Sequence, residues 1–305
     1  MAWLDYLLPL FFLFPLAAAA TVVVALRSLH DARVRSPFDA HPLREPGQAL
    51  RDRLDRAFAT LFLNAALGPV LVLTPLVYGM GRMLFSRHQN WIEWALYGVL
   101  CTLLAIVVSF RLMRDYQRIR RLKLGLACEL AVGQELERLI RPEAHPYFVF
   151  HDVPADTFVI DHVAITPHAV FVIETRARTP AISPAGETED TVVVEHERLR
   201  FPGWMERRPQ RKARQATRWV ASWLCRELGQ PVPVKGILAL PGWKIEREVP
   251  DDDLAVVSGE GLAAHLTDAC PGIAPMDPTL HDRVIEALNR RTLTRELGHL
   301  EGPSI

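Results

Sequence analysis

"IDHVAITPHAVFVIETRAR", Ile160–Arg178, decides how the soluble part of this chain folds. Two apolar runs flank Pro167-His168, a turn-prone pair, so the stretch reads as a β-hairpin. Counting outward from that midpoint pairs Ile165 with Val170, Val163 with Val172 and Asp161 with Glu174, because antiparallel partners keep a constant residue-number sum. Directly opposed residues have β-carbons roughly 4.5–5.5 Å apart. Two like-charged carboxylates at that spacing repel unless a positive group lies beside them. A divalent cation and Arg176 are the two candidates the local sequence offers.

Both faces of the hairpin are apolar. Val163, Ile165, Val170 and Val172 lie on one side, and Ala164, Ala169, Phe171 and Ile173 on the other. A sheet covered on both faces needs helices on both, which predicts an α/β sandwich. Upstream, "LKLGLACELAVGQELERLI" sets Leu124, Cys128, Val132, Leu136 and Leu139 on one helical stripe, joined to the preceding segment by a short basic stretch, and "YFVFHDV" reads as a strand. Downstream come a second hairpin, "TVVVEHERLRF", turning near His196-Glu197, and a helix, "PQRKARQATRWVASWLCREL", with Ala216, Val220, Trp223 and Leu224 as its buried face. Strands "VPVKGILALPGW" and "DLAVVS" follow, then helices at about 260–267 and 278–293. "RARTPAISPAGETED" reads as a polar loop and "GHLEGPSI" as a loose tail.

The 305 residues are 50% hydrophobic with zero formal net charge, an average over two unlike regions. Residues 7–26, 58–78 and 91–110 are each close to the ~20 apolar residues that span a bilayer as a helix. Trp3, Tyr6, Tyr78, Trp91 and Trp94 stand at their ends, where amphipathic rings favour the interface. No Lys or Arg precedes the first run, which argues against a cleaved signal peptide. Gly68-Pro69 and Pro75 predict a kink in the second span. Arginines crowd the first loop and the segment after the third span. The positive-inside rule therefore places the N-terminus outside and the C-terminal region in the cytoplasm, on an inner, multi-pass membrane. No span carries a central acid or base, which argues against a transporter or channel. Cys101, Cys128, Cys225 and Cys270 lack metal-ligand spacing and read as reduced thiols.

Glu174 and Arg176 are two apart and share a strand face with Asp161 in this register. Two acids and a cation at a strand end suit Mg²⁺ or Mn²⁺ bound through oxygen. An aspartate at a strand start beside a Glu–Arg surface pair is the plainer reading of the same residues. From Arg198 to Arg218 the chain carries Arg198, Arg200, Arg207, Arg208, Arg211, Lys212, Arg214 and Arg218 around Trp204. Such a run fits a phosphate backbone with the indole stacked on a base, or a solvated face near an anionic leaflet. His151-Asp152 and His162 have no cysteine partner and do not form a zinc motif.

The helix with Gly125, Glu129, Val132 and Leu136, then "YFVFHDVP", "IDHVAITPHAVFVIETRAR", "RPQRKARQATRWVASWL" and "GILALPGW", resembles the nuclease-related domain (NERD) of the PD-(D/E)xK nuclease superfamily, over about Lys123 to Ser258. The resemblance implies a restriction-endonuclease-like fold, a mixed central sheet flanked by helices, and metal-dependent cleavage of DNA or RNA. It implies that Glu129, Asp161 and Glu174 hold Mg²⁺ or Mn²⁺, with Asp161, Glu174 and Arg176 catalytic and Gln215 matching the family's helix glutamine; the basic run adds Arg211 and Lys212 beside Gln215 toward nucleic acid, and Lys212 is also a nearby amine on that helix. Two positions depart from the family pattern. Arg176 replaces the E-x-K lysine, and since arginine stays protonated it can orient water or stabilise an anion but not act as a base. Ala169 replaces a turn glycine. The resulting domain plan is a transmembrane region over 1–120, a nuclease-related domain over 121–260 and a helical extension over 261–305. A catalytically inactive, membrane-tethered nucleic-acid-binding or scaffold domain is the alternative that Arg176 supports.

Overall fold

The computed structural model describes residues 14–15, 17–22, 25, 44–85, 90–139, 147–182, 188–247, 254–268 and 274–300. Most of the first expected span, with Trp3, Tyr6 and Cys270, lies outside these; the residues of that span that are described are helical. The chain divides into two compact units. One covers Asp52–Leu122, and the other covers Lys123 onward together with the short stretch ending at Arg51.

The first unit is built on α1 (Gln48–Phe85) and α2 (Trp91–Glu137). Both are long and apolar enough to cross a membrane. Within the unit they touch through small residues: a β-carbon on Gly68 would meet Val108 at 2.6 Å, and one on Gly79 would meet Tyr97 at 2.7 Å. Asn64 Nδ2 donates to Asp115 Oδ2 (2.6 Å), and Arg82 pairs with Glu93 (2.9 Å). α1 runs through Pro69 and Pro75 and starts at Gln48, ahead of the expected boundary at Phe58. The expected basic joint after the third span is instead helix. "RLMRDYQRIRRLKLG" holds no proline and only one glycine, so nothing in it stops α2 before Glu137.

The second unit is a five-stranded mixed sheet, order β1-β2-β3-β9-β11, comprising β1 (Phe148–Pro154), β2 (Val159–Ile165), β3 (Val170–Thr175), β9 (Val234–Leu240) and β11 (Leu254–Ser258). β1, β2 and β3 are antiparallel neighbours; β9 runs parallel to β3, and β11 parallel to β9. The β2–β3 register is the one counted from the sequence, with Val163 opposite Val172 and Ile165 opposite Val170. Ala169 needs no left-handed backbone in this turn. Thr166 N donates to Ala169 O (3.0 Å), and Thr166 Oγ1 accepts from Ala169 N (3.1 Å).

Helices cover both faces. α3 (Arg208–Leu228) starts with Pro209 in its first turn and ends at Gly229, whose φ of 73° closes the last turn through its N–H to Cys225 O. Its Ala216, Val220, Trp223 and Leu224 pack on Val163, Ile165, Val170 and Val172, together with Val284 and Leu288 of α5 (Pro278–Leu300). The core on this side therefore continues past residue 260. α5 also extends beyond the expected Leu293, taking Gly298–Leu300 into the helix; 301–305 lie outside the described residues. On the other face, Val132 and Leu136 of α2 meet Ala164, Phe171 and Ile173, with Leu262 and Leu266 of α4 (Leu262–Asp268). Leu136 is fully buried, so Leu136→Ala is expected to lower stability by about 2–5 kcal/mol, read by chemical denaturation of the full chain.

A smaller sheet, β10-β6-β7-β8, sits beside the main one: β6 (Thr191–Val194), β7 (Leu199–Phe201), β8 (Trp204–Glu206) and β10 (Lys244–Arg247). Its hairpin turns as expected, with Glu195 N donating to Arg198 O (3.0 Å). β8 and β10 were not foreseen. The expected polar loop after Arg176 contains a two-residue ladder, β4 (Ala181–Ile182) with β5 (Thr188–Glu189).

Candidate active site

The constant-sum rule places three acids in one row. His162 pairs with Ile173, so Asp161 comes level with Glu174. His151 pairs with His162 and Val153 with Ile160, so Asp152 comes level with Asp161. Asp152 is bent out of the strand, with φ of 49°, and its Oδ2 accepts from Ala49 N at the start of α1 (2.9 Å). Asp161 Oδ2 accepts from Thr175 N (2.7 Å), which holds its carboxylate against β3. Glu129, on α2, completes the group. All four acids are buried.

Lys212 pairs with two of them, Glu174 and Asp161. α3 lies over this end of the sheet and brings Lys212 Nζ to 2.5 Å from Glu174 Oε2 and 3.6 Å from Asp161 Oδ1. Arg176 stands close by but faces the small sheet, where its Nη2 pairs with Glu206 Oε2 (2.9 Å) and Arg178 pairs with Oε1 of the same carboxylate. Burial alone would raise Glu206, but the hydrogen bonds and charges of Arg178 and Arg176 outweigh it and hold the carboxyl below its usual range. Sequence reasoning named Lys212 in the basic run and as a nearby amine, without a contact to the acids, because helix phase does not reveal which strand end the helix covers.

Burial is the first cause of the site's electrostatics, and mutual repulsion is the second. Glu129 is pushed up to about 9 by burial and then by Asp161 and Asp152. Glu174 is pushed up to about 8 by burial and then by Asp161, against the pull of Lys212. Burial also raises Asp152 to about 6, although the Ala49 hydrogen bond opposes it. For Lys212 burial works downward, but Asp161, Glu174 and Glu129 together outweigh it and the pKa is raised. At neutral pH the ammonium is charged, and Glu129 and Glu174 hold protons.

The folded state keeps protons on Glu129 and Glu174 that the unfolded chain, with carboxyls near 4.5, has already released. Stability therefore falls as pH rises through that window. His151, half-buried and lowered to about 4 by burial, and the buried His162, also lowered, act oppositely but only below about 6.5. Between pH 6.5 and 9 the metal-free protein is expected to lose thermal stability, and Glu129→Gln to flatten that slope, both read by melting in chelator. The half-buried His151 and the buried His162 form a pair, Nδ1 to Nδ1 at 2.8 Å.

Glu174, Arg176, Arg208, Arg211, Lys212 and Gln215 line a cleft of about 650 Å³. Lys212 and Gln215 are one turn apart on the exposed side of α3, so Glu174 is the acid that lines the cleft and Arg176, Arg208, Arg211 and Lys212 are its cations. Gln210 is turned away and donates to Glu195 O (3.0 Å). Trp204 already stacks on Phe201, with centroids 4.9 Å apart.

Among the described residues, no three His, Cys, Asp or Glu side chains form a preformed metal cage. The donor set nonetheless suits a hard cation. It is all carboxylate oxygen, and Glu174 Oε1 is buried with no hydrogen-bond partner.

The geometry thus sets a lysine against buried acids at the end of a mixed sheet, beside a cleft lined by arginines. Residues 124–241 match the family model of the nuclease-related domain (NERD). The matched segment contains Glu129, Asp152, Asp161, Glu174, Arg176, Lys212 and Gln215. No curated protein and no solved structure matches the chain.

Proposed function

We propose that the chain is a membrane-anchored nuclease whose nuclease-related domain faces the cytoplasm and hydrolyses phosphodiesters of DNA or RNA with Mg²⁺ or Mn²⁺. The observation that carries this reading is Lys212, which supplies from α3 the amine that the E-x-R strand lacks and sets it 2.5 Å from Glu174. The match over residues 124–241 supports it, as do two helices long and apolar enough to span a bilayer. The N-terminus outside and the remainder inside follow from the arginine distribution alone.

Glu129, Asp161 and Glu174 are the residues that would hold the cation. When bound, it supplies positive charge against the phosphate and makes water a better nucleophile at neutral pH. Lys212 is protonated, so it donates: its ammonium neutralises the anion developing on the phosphate. Arg176, fixed by Glu206, adds positive charge to the cleft wall. Arg208 and Arg211 bind backbone phosphate, and the Gln215 amide orients the strand.

The alternative, a non-catalytic domain that binds nucleic acid or protein, draws on the commitment of Arg176 to Glu206. Incubating the full chain in detergent with labelled single- and double-stranded oligonucleotides, with Mg²⁺ or chelator, separates the two. Metal-dependent cleavage supports the nuclease, while salt-sensitive binding without cleavage supports the alternative.

A further inference from the structure

We infer that the basic end of the α1–α2 unit is a binding site for an anionic phospholipid headgroup carrying two phosphates. The inference rests on the reading of α1 and α2 as membrane spans. Ile106, Val107 and Phe110 leave an exposed apolar belt along α2, Phe110 being 68% exposed. Immediately beyond it come Arg111, Arg114, Arg118 and Arg121, spaced three, four and three residues apart, so all four fall on one stripe of the helix. Each is exposed.

The stripe lines a cavity of about 1010 Å³, together with Phe110, Met113, Asn64 and Asp115. Asp115 is the only acid among the lining residues and is engaged by Asn64 (2.6 Å), so four guanidiniums stand against one carboxylate. The cavity has one apolar wall, Phe110 and Met113, and one cationic wall. A free phosphate ion would leave that apolar wall in water, and so would a nucleic-acid backbone. An amphiphile satisfies both, with acyl carbons on Phe110 and Met113 and phosphate oxygens on the arginine forks. Arg111 to Arg121 cover about 15 Å of helix at ~1.5 Å per residue, which is longer than one phosphate needs. Arg111 with Arg114, and Arg118 with Arg121, make two forks for two phosphates.

The test uses the full chain in nanodiscs of phosphatidylcholine alone, or with added phosphatidylglycerol or diphosphatidylglycerol. Native mass spectrometry then reads the lipid retained after release. The wild type is expected to retain diphosphatidylglycerol at least about tenfold over phosphatidylcholine, with phosphatidylglycerol between, since each arginine near an anionic surface adds attraction. Arg111→Gln, Arg114→Gln, Arg118→Gln and Arg121→Gln together should abolish the preference. The four Arg→Lys changes keep the charge that orients the helix, and should lower the two-phosphate preference several-fold while leaving insertion intact.

An inserted wild type that retains all three lipids alike overturns the proposal, as does a preference that survives the four glutamines. Full competition by inorganic phosphate would mark a free-anion site and also overturn it. A chain recovered in the aqueous fraction without detergent overturns the membrane reading and the proposal together, an outcome distinct from insertion without preference.

Discussion

Lys212→Met is expected to lower metal-dependent cleavage by about 10²–10⁴-fold, the range for removing one preorganised charge or proton donor from a reacting centre. The side chain is half-exposed, but its ammonium is held by Glu174 at 2.5 Å and Asp161 at 3.6 Å. Methionine keeps the length of the chain and removes the charge. Folding should survive, because Lys212 lies on the outer face of α3, while Ala213 and Ala216 on the inner face make the packing contacts. Arg176→Lys should cost far less, at most about tenfold, because the guanidinium is engaged by Glu206 rather than by the acids. Single-turnover cleavage of a labelled oligonucleotide distinguishes the two positions. Equal losses at both would return the central role to the strand motif.

The second large effect is on metal affinity. Glu174→Gln and Asp161→Asn should each weaken Mn²⁺ binding by at least about a hundredfold, ~2.8 kcal/mol, because each removes an anionic oxygen from a site built only of carboxylates. Their effect on the metal-free fold runs the other way. Burial, and then the charge of Asp161, pushes Glu174 up to about 8. Removing a member of the group relieves repulsion, so the Glu174→Gln protein should melt at or above the wild-type temperature in chelator at pH 8. A site that loses ligand and gains stability on the same substitution is one whose strain is kept for function. Since bound metal requires ionised carboxylates, wild-type affinity should also climb with pH through about 8 to 9. Isothermal titration calorimetry on the detergent-solubilised chain reads both effects.

The hairpin from Val159 to Thr175 was legible in the sequence because its alternation and its turn are local. One midpoint fixed every pair from Ile165–Val170 outward. The same count applied one strand earlier, about a midpoint between Asp156 and Thr157, would have placed Asp152 level with Asp161. The signal was weaker there, because "DVPADTFVID" carries no clean alternation and Asp152 leaves the strand with a positive φ. The buried faces of α2 and α3 were legible for the same local reason, from apolar spacing of three and four.

What stayed hidden was either short or non-local. β8 has three residues and β10 four, too few for periodicity to register, and β10 pairs in parallel with β6 across some fifty residues of chain. The continuity of α2 was missed because a run of arginines reads equally as a joint or as helix. Neither the reach of Lys212 to Glu174 nor the engagement of Arg176 by Glu206 follows from either strand alone. Each depends on how another element, α3 or β8, crosses the end of β3.

The most direct test of the central claim is cleavage by the purified full chain. Wild type, Lys212→Met and Asp161→Asn would be incubated with a labelled oligonucleotide in Mg²⁺ and, in parallel, in chelator. The account predicts cleavage by wild type in Mg²⁺ only, and loss in both variants with nucleic-acid binding retained. Cleavage that persists in Lys212→Met, or a folded wild type that binds oligonucleotide and leaves it intact in Mg²⁺ and Mn²⁺ alike, would contradict it.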